Sequence, residues 1–366
     1  MLERLFQLQA HGTTVRKEVV AGITTFLTMA YIIVVNPSIL SSTGMDFGAV
    51  FVATCLAAVI GTLIMGLWAN YPIAMAPGMG LNAFFSFTVV GSMGYSWQIA
   101  LGAVFISGFL FFLLSIFKVR EWIINSIPMS LRFGISAGIG FFLALIALKN
   151  AGIVVDHPAT LVGLGEVKVA ESLLFFGGFV LICALSFRQV TGAVMIGIIA
   201  VTGVAMALGM VEYNGLVSAP PSIAPTFMQL DLAGALNIGM ISVIFAFLFV
   251  DLFDTSGTLI GAAQRGGLLD KDGKLPRLGR ALMSDSVATM SGAALGTSTT
   301  TSYIESAAGI SAGGRTGLTA VVVAALFLAC LLLSPIASII PAYATAPALL
   351  YVAVLMASGL KLIDWE

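Results

Sequence analysis

Charge is what this sequence has least of. Asp, Glu, Lys and Arg make up 9% of its 366 residues, where soluble domains carry about 25%. So few ionic groups cannot cover a water-exposed surface, and a soluble globular protein is excluded. Histidine and cysteine are also scarce, at 2 and 3 residues. His11 and His157 stand in polar flanks as solvated side chains. Cys55, Cys183 and Cys330 each sit inside an apolar run, without metal-ligand or paired spacing, as small core residues do. Neither a nucleophile with a nearby base nor a phosphate-binding loop is present, so nothing supports a membrane enzyme, and no cofactor is expected. A net charge of −1 gives no electrostatic reason to bind nucleic acid. No cleavable signal peptide is expected, because the start is polar and the first apolar run is full length.

What is abundant is hydrophobic residue, 59% of the chain. Runs of about 20 apolar residues recur along it, each enough to cross a hydrocarbon core of about 30 Å. Without water in that core each run must satisfy its own backbone, which favours helices, and the short alternating strands of a membrane barrel are missing. The pattern predicts an all-α polytopic membrane protein. Its twelve segments are 19–40, 47–68, 72–91, 97–117, 133–149, 172–187, 191–210, 235–262, 280–296, 297–311, 316–337 and 340–360. With the N-terminus in the cytoplasm, 14 of the 16 basic residues fall on that side and only Lys149 and Lys168 outside, as the positive-inside rule requires. Trp68, Trp97, Trp122 and Trp365 lie near segment ends as interfacial anchors. Stretch 118–132 reads as an amphipathic helix in the cytoplasmic interface.

The stretch 211–232 divides the chain into a front of seven segments and a back of five. The third segment of each part is abnormal. In the front it runs Pro72-Ile-Ala-Met-Ala-Pro77-Gly-Met-Gly80-Leu-Asn82-Ala-Phe-Phe; in the back it follows Gly296 with a row of Ser and Thr up to Tyr303-Ile-Glu305. Pro77 cannot continue a helical ladder, and the Ser/Thr row competes for helix bonds. One such break can be a kink in a packed helix. A matched pair marks the central binding site of a transporter.

Four of the 17 acids fall inside apolar segments: Asp251, Asp254, Asp285 and Glu305. An ionised acid at a helix centre costs about 2.5–3.5 kcal/mol on insertion scales, so such residues line polar cavities and mark ion, proton or substrate paths. Asp251, Asp254 and Gly257 repeat at i, i+3 and i+6, which predicts one shared face. Asp285 stands near a predicted helix start, where a cap is as good a reading as a functional role. Converging, Asp254 and Glu305 could carry a proton or accept hydrogen bonds from a flat heterocycle. Asn82 and the backbone of Gly80–Phe84 would face them, Asn offering both donor and acceptor. Phe84 or Phe85 could stack on a ring or simply pack.

The runs GTTVRKEVVAGITTFLTMAYIIVVNP at 12–37, APGMGLNAFF at 76–85, FVDLFDTSGTLIG at 249–261 and YIESAAGISAGGRTGLTAVVV at 303–323 resemble nucleobase/cation symporter-2 proteins. Within that family the branch is that of adenine, guanine and hypoxanthine permeases. The opening MLERLFQLQAHGTT and SAPPS at 218–222 are most similar to bacterial adenine permeases. The resemblance implies an inverted-repeat fold of the 7+7 type, with two discontinuous helices that meet as short strands. It implies a core domain over 1–117 and 233–337 and a gate domain over 118–232 and 338–366. By motif, the substrate-binding acids are Asp254 (Asp-x-x-Gly257) and Glu305 (Tyr-x-Glu), with Asn82 as polar partner and backbone contacts near Ala83 and Ile304. Asp251, where relatives differ, joins Gly80, Phe84 and Thr301 as candidate contacts for substrate or proton. The chain stops at Trp365-Glu366, after its twelfth segment, where the family continues with two more gate helices, and a partial sequence is the expectation. The function implied is a proton-coupled symporter importing a purine nucleobase, adenine first, in the bacterial inner membrane. Guanine or hypoxanthine transport, sodium coupling and an anion carrier or channel of related architecture are the alternatives, and a homodimer is the oligomer the family suggests.

Overall fold

Apolar runs that must close their own hydrogen bonds do so as helices. The computed structural model of the chain describes residues 2–117, 129–213, 215–270 and 275–363. In chain order its main elements are α1 (Val15–Met29), α2 (Ile32–Leu40), α3 (Phe47–Ile64), β1 (Met75–Pro77), α4 (Met79–Ala83), α5 (Trp97–Ile116), α6 (Met129–Asn150), β2 (Val154–His157) and β3 (Leu161–Leu164). They continue with α7 (Ala170–Phe187), α8 (Ala193–Ala207), α9 (Ile238–Gly266), α10 (Leu278–Leu295), β4 (Thr300–Ser302), α11 (Ser306–Ser311), α12 (Gly317–Cys330) and α13 (Ala342–Ala357). Each of the twelve expected segments is occupied by a helix or a broken helix. Among the described residues, eight spans are long and apolar enough to cross a membrane, so the chain is an integral membrane protein. The helix expected over 118–132 lies largely outside the described residues; only 129–132 fall within them, as the start of α6.

The chain forms two units. The first comprises Met1–Ile127 and Ala219–Ser334, the second Pro128–Ser218 and Pro335–Glu366. In the first unit packing crosses between the halves of the chain in a reciprocal way. Helix α5, fourth segment of the front half, lies against α9 and α10, the first two of the back; α12, fourth of the back, lies against α1 and α3. Exchange of partners between equivalent elements is what an inverted repeat produces. The apolar core of this unit includes Met65, Met75, Phe111, Leu248, Leu252, Leu259 and Leu282. Helix α10 is less apolar than the spans because it buries Ser284, Asp285, Ser286 and Thr289, which find hydrogen-bond partners within the protein.

In the second unit α13 packs on α6, α7 and α8, around Ala151, Ile153, Phe175 and Ala346. Its hairpin β2–β3 pairs Val154 with Leu164 and His157 with Leu161.

One acid outside the apolar segments acts as a fastener. Glu18, in the first turn of α1, is 0% exposed. Its carboxylate accepts from the backbone N–H groups of Arg315 (2.9 Å), Thr316 (3.3 Å) and Thr319 (3.2 Å) and from the Thr319 hydroxyl (2.6 Å). A carboxylate at the start of α12 satisfies donors that have no partner within the helix. The Arg315 guanidinium donates to the carbonyls of Ile310 (2.6 Å) and Gly314 (2.7 Å), closing the far end of α11.

Candidate functional site

The site grows from the two breaks. Helix α3 runs on to Ala69 and stops at Asn70, whose φ of 54° is left-handed, a conformation Asn tolerates well. Pro72 and Pro77 then keep the chain extended as β1. In the back half α10 ends at Gly296 with φ of 99°, where glycine has no Cβ to clash. The Ser/Thr row leads into β4. The strands pair antiparallel, Met75 opposite Ser302, Ala76 opposite Thr301 and Pro77 opposite Thr300. The ladder extends through Gly78 N–H to Thr299 O (2.9 Å) and Tyr303 N–H to Ala74 O (3.0 Å).

Backbone groups turned away from the ladder find side chains. Thr62 Oγ1 accepts from Met75 N–H (2.9 Å) and donates to Met75 O (3.1 Å). Ala74 N–H donates to Ser306 Oγ (3.0 Å), and Thr289 Oγ1 donates to Thr300 O (3.1 Å). Leading into β4, Thr297 accepts from Asn36 Nδ2 (2.8 Å), which also donates to Thr54 (2.7 Å). Buried irregular backbone satisfied in this way can be held rigidly at membrane depth.

Both predicted acids stand beside this ribbon. Asp254, on α9, accepts from Thr301 Oγ1 at 3.3 Å. Glu305, in the turn between β4 and α11, accepts from the Tyr31 hydroxyl at 2.6 Å. Each is half-buried. Asn82 is fully buried, its Oδ1 accepting from Ser298, while its Nδ2 has no partner among the described residues. A buried donor without a partner is rare enough to point to a missing one.

The other candidates take the following places. Thr301 is buried in β4 and shares its hydroxyl between Asp254 and the Ser302 carbonyl (3.2 Å). Gly80 is half-buried in the first turn of α4, and Ala83 is buried at its end. Since Asn82 N–H already bonds Gly78 O, the Ala83 amide falls within the helical ladder, and the amides ahead of the ladder are those of Met79, Gly80 and Leu81. Ile304 is 48% exposed beside Glu305, its Cδ1 approaching Gly261 of α9. Phe84 meets Phe247 of α9 edge to face, centroids 5.1 Å apart. Phe247 and Asp254 are seven residues apart and share a helix face. Phe85 is fully buried, and Phe84 is half-buried.

Two expectations change. Asp251, Asp254 and Gly257 do not act as one face: Asp251 is 1% exposed and accepts from Thr289 of α10 at 3.4 Å, whereas a Cβ on Gly257 would meet nothing within 4 Å. Six residues carry the helix about 240° around, so only neighbours three or four apart stay together. Asp285 is no cap. It lies in the third turn of α10, which begins at Leu278, and accepts from Thr255 of α9 at 2.8 Å.

Tyr31, Tyr303 and Ser298 escaped the sequence reading, although each bonds the ribbon or a candidate residue. The one available signal was a tyrosine in the middle of an apolar span, whose hydroxyl must find a partner.

Two broken helices joined by a buried ribbon, with a carboxylate at each side, inside a reciprocally packed helical unit, define a membrane transporter of the inverted-repeat class. The sequence comparison agrees: the family model described as "Permease family" matches residues 16–366. The chain belongs to that family, the nucleobase/cation symporter-2 permeases. It is 53% identical to the adenine permease AdeP of Escherichia coli, over 100% of this chain and 82% of that protein. It is 45% identical to the guanine/hypoxanthine permease PbuG of Bacillus subtilis, over 100% of this chain and 86% of the relative. Among solved structures, the transmembrane domain of the cyanobacterial bicarbonate transporter BicA matches with a TM-score of 0.70 at 15% identity, covering 96% of this chain and 90% of that one. At that identity the match speaks for the fold alone.

Proposed function

We propose that this protein imports a purine nucleobase, adenine first, together with a proton, by alternating access. The observation that carries the reading is the placement of Asp254 and Glu305 beside one buried ribbon. A purine is flat and uncharged and presents donors and acceptors along its edge. Two carboxylates, the unpartnered amide nitrogen of Asn82 and the ring of Phe84 offer matching chemistry: acceptors for ring N–H or amino groups, a donor for a ring nitrogen and a face for stacking. Adenine is placed ahead of guanine and hypoxanthine because identity to the adenine permease, 53%, exceeds the 45% to the guanine/hypoxanthine permease. In this reading the first unit is the core that holds the base and the second the gate. The protein sits in the cell membrane with its N-terminus in the cytoplasm, and two acids with no cationic partner at the ribbon among the described residues favour a neutral base over an anion.

The test is uptake of radiolabelled adenine by cells lacking their own purine carriers. Asp254→Ala and Glu305→Ala should each lower uptake to background with membrane insertion unchanged. Full uptake by either variant removes that residue from the mechanism. Uptake in sodium-free buffer that a protonophore abolishes identifies the proton as the coupled ion, and strict dependence on sodium overturns that part.

A further inference from the structure

Tyr31 stands where α1 gives way to α2 and is 1% exposed. A buried tyrosine needs a partner for its hydroxyl, and a backbone carbonyl would serve. Here the partner is instead the Oε1 of Glu305, at 2.6 Å and 274 residues away in sequence. The same stretch of α1 makes two further contacts with the Glu305 region. The Thr28 hydroxyl reaches the Glu305 carbonyl at 3.4 Å. One turn along α11, Gly309 lies so close that a Cβ there would come within 2.0 Å of Thr25 Oγ1 and 2.4 Å of the Ala21 carbonyl. Backbone and side chain of Glu305 are thus both referred to the end of α1 and the junction that follows it.

We propose that Tyr31 is a positioning residue: by holding Oε1 it fixes the orientation of the Glu305 carboxyl group, so that Oε2 is the oxygen presented to the base. The terminal torsion of a glutamate is broad and twofold. Without a fixed donor the two oxygens exchange, and the group must be ordered each time a ligand binds. A hydroxyl held in a packed helix removes that cost in advance, and preorganisation of this kind shows in affinity. Loss of uniform binding raises KM and leaves the maximal rate alone. The proposal rests on the nucleobase reading above.

The experiment measures adenine binding to purified protein, and adenine uptake, for the wild type, Tyr31→Phe, Glu305→Asp and the double variant. Tyr31→Phe should weaken adenine binding and raise KM by about tenfold, the scale of one hydrogen bond to a charged group. Its maximal rate should stay within about twofold of wild type. Aspartate is one methylene shorter and withdraws from the hydroxyl, so in the Glu305→Asp background the same change should cost less than about twofold. Unchanged affinity in Tyr31→Phe, a fall in maximal rate at constant KM, or the same factor in both backgrounds would overturn the proposal. If the aspartate background binds too weakly to measure, the affinity of Tyr31→Phe alone decides. A wild-type protein that binds no purine base defeats the nucleobase reading itself, and that result appears in the control before any variant is compared.

Discussion

Tyr303 donates its hydroxyl to the carbonyl of Pro77 at 2.6 Å. The residue that interrupts the third segment is therefore secured by the residue that follows β4 in the tenth. Pro77 has no N–H to give a ladder, and it is buried. The bond satisfies a group that would otherwise cost about 1–3 kcal/mol, and it ties the two discontinuous helices to each other at the level of the acids.

Thr62 tests how far the ribbon depends on its supports. It is the partner of both the N–H and the carbonyl of Met75, so Thr62→Val keeps the shape and leaves two buried groups unmatched. A loss of about 1–3 kcal/mol is expected, seen as a lower thermal midpoint of protein purified in detergent. An unchanged midpoint would show that the ribbon does not need this support.

Glu18 should matter for stability through its charge as well as its bonds. Removing it in Glu18→Ala orphans the amides of Arg315, Thr316 and Thr319. Bonds to a charged group contribute about 1.5–3 kcal/mol each. Glu18→Gln retains an acceptor oxygen and should lose clearly less. Equal losses for the two variants, measured by the same thermal assay, would count against a charged cap on α12.

Gly309 and Gly257 form a matched pair of glycine tests. A methyl on Gly309 would collide with Thr25 and the backbone of Ala21, and overpacking of this kind costs about 1–3 kcal/mol. Gly309→Ala should therefore lower both the thermal midpoint and adenine uptake, because α11 follows directly on the turn that carries Glu305. Gly257→Ala adds its methyl in open space within α9, where alanine is the better helix former by about 1 kcal/mol. Its midpoint should equal or exceed that of the wild type, and a fall would mean that α9 is crowded there.

The helices and the two breaks were legible because their causes are local. Apolar run length, Pro72, Pro77 and the Ser/Thr row after Gly296 act within a few residues of where they stand. Two of the four intramembrane acids, Asp254 and Glu305, stand beside the ribbon, as their rarity in apolar segments suggested. Asp285 and Glu18 find partners that lie far off in sequence. Asp285 stands near a predicted helix start yet bonds Thr255, and Glu18 bonds the start of α12.

Chain composition and the spacing of prolines, glycines and acids were enough to specify a helical membrane protein with two interrupted segments, since backbone satisfaction in lipid leaves few alternatives. Which oxygen of Glu305 is held, that Asp251 bonds Thr289 of α10, and that Asn82 Nδ2 keeps no partner among the described residues were settled by tertiary packing, across more than 200 residues of intervening chain in the case of Tyr31 and Glu305. Contacts of that kind depend on the angles and depths at which helices cross, and no stretch of residues read in order carries them.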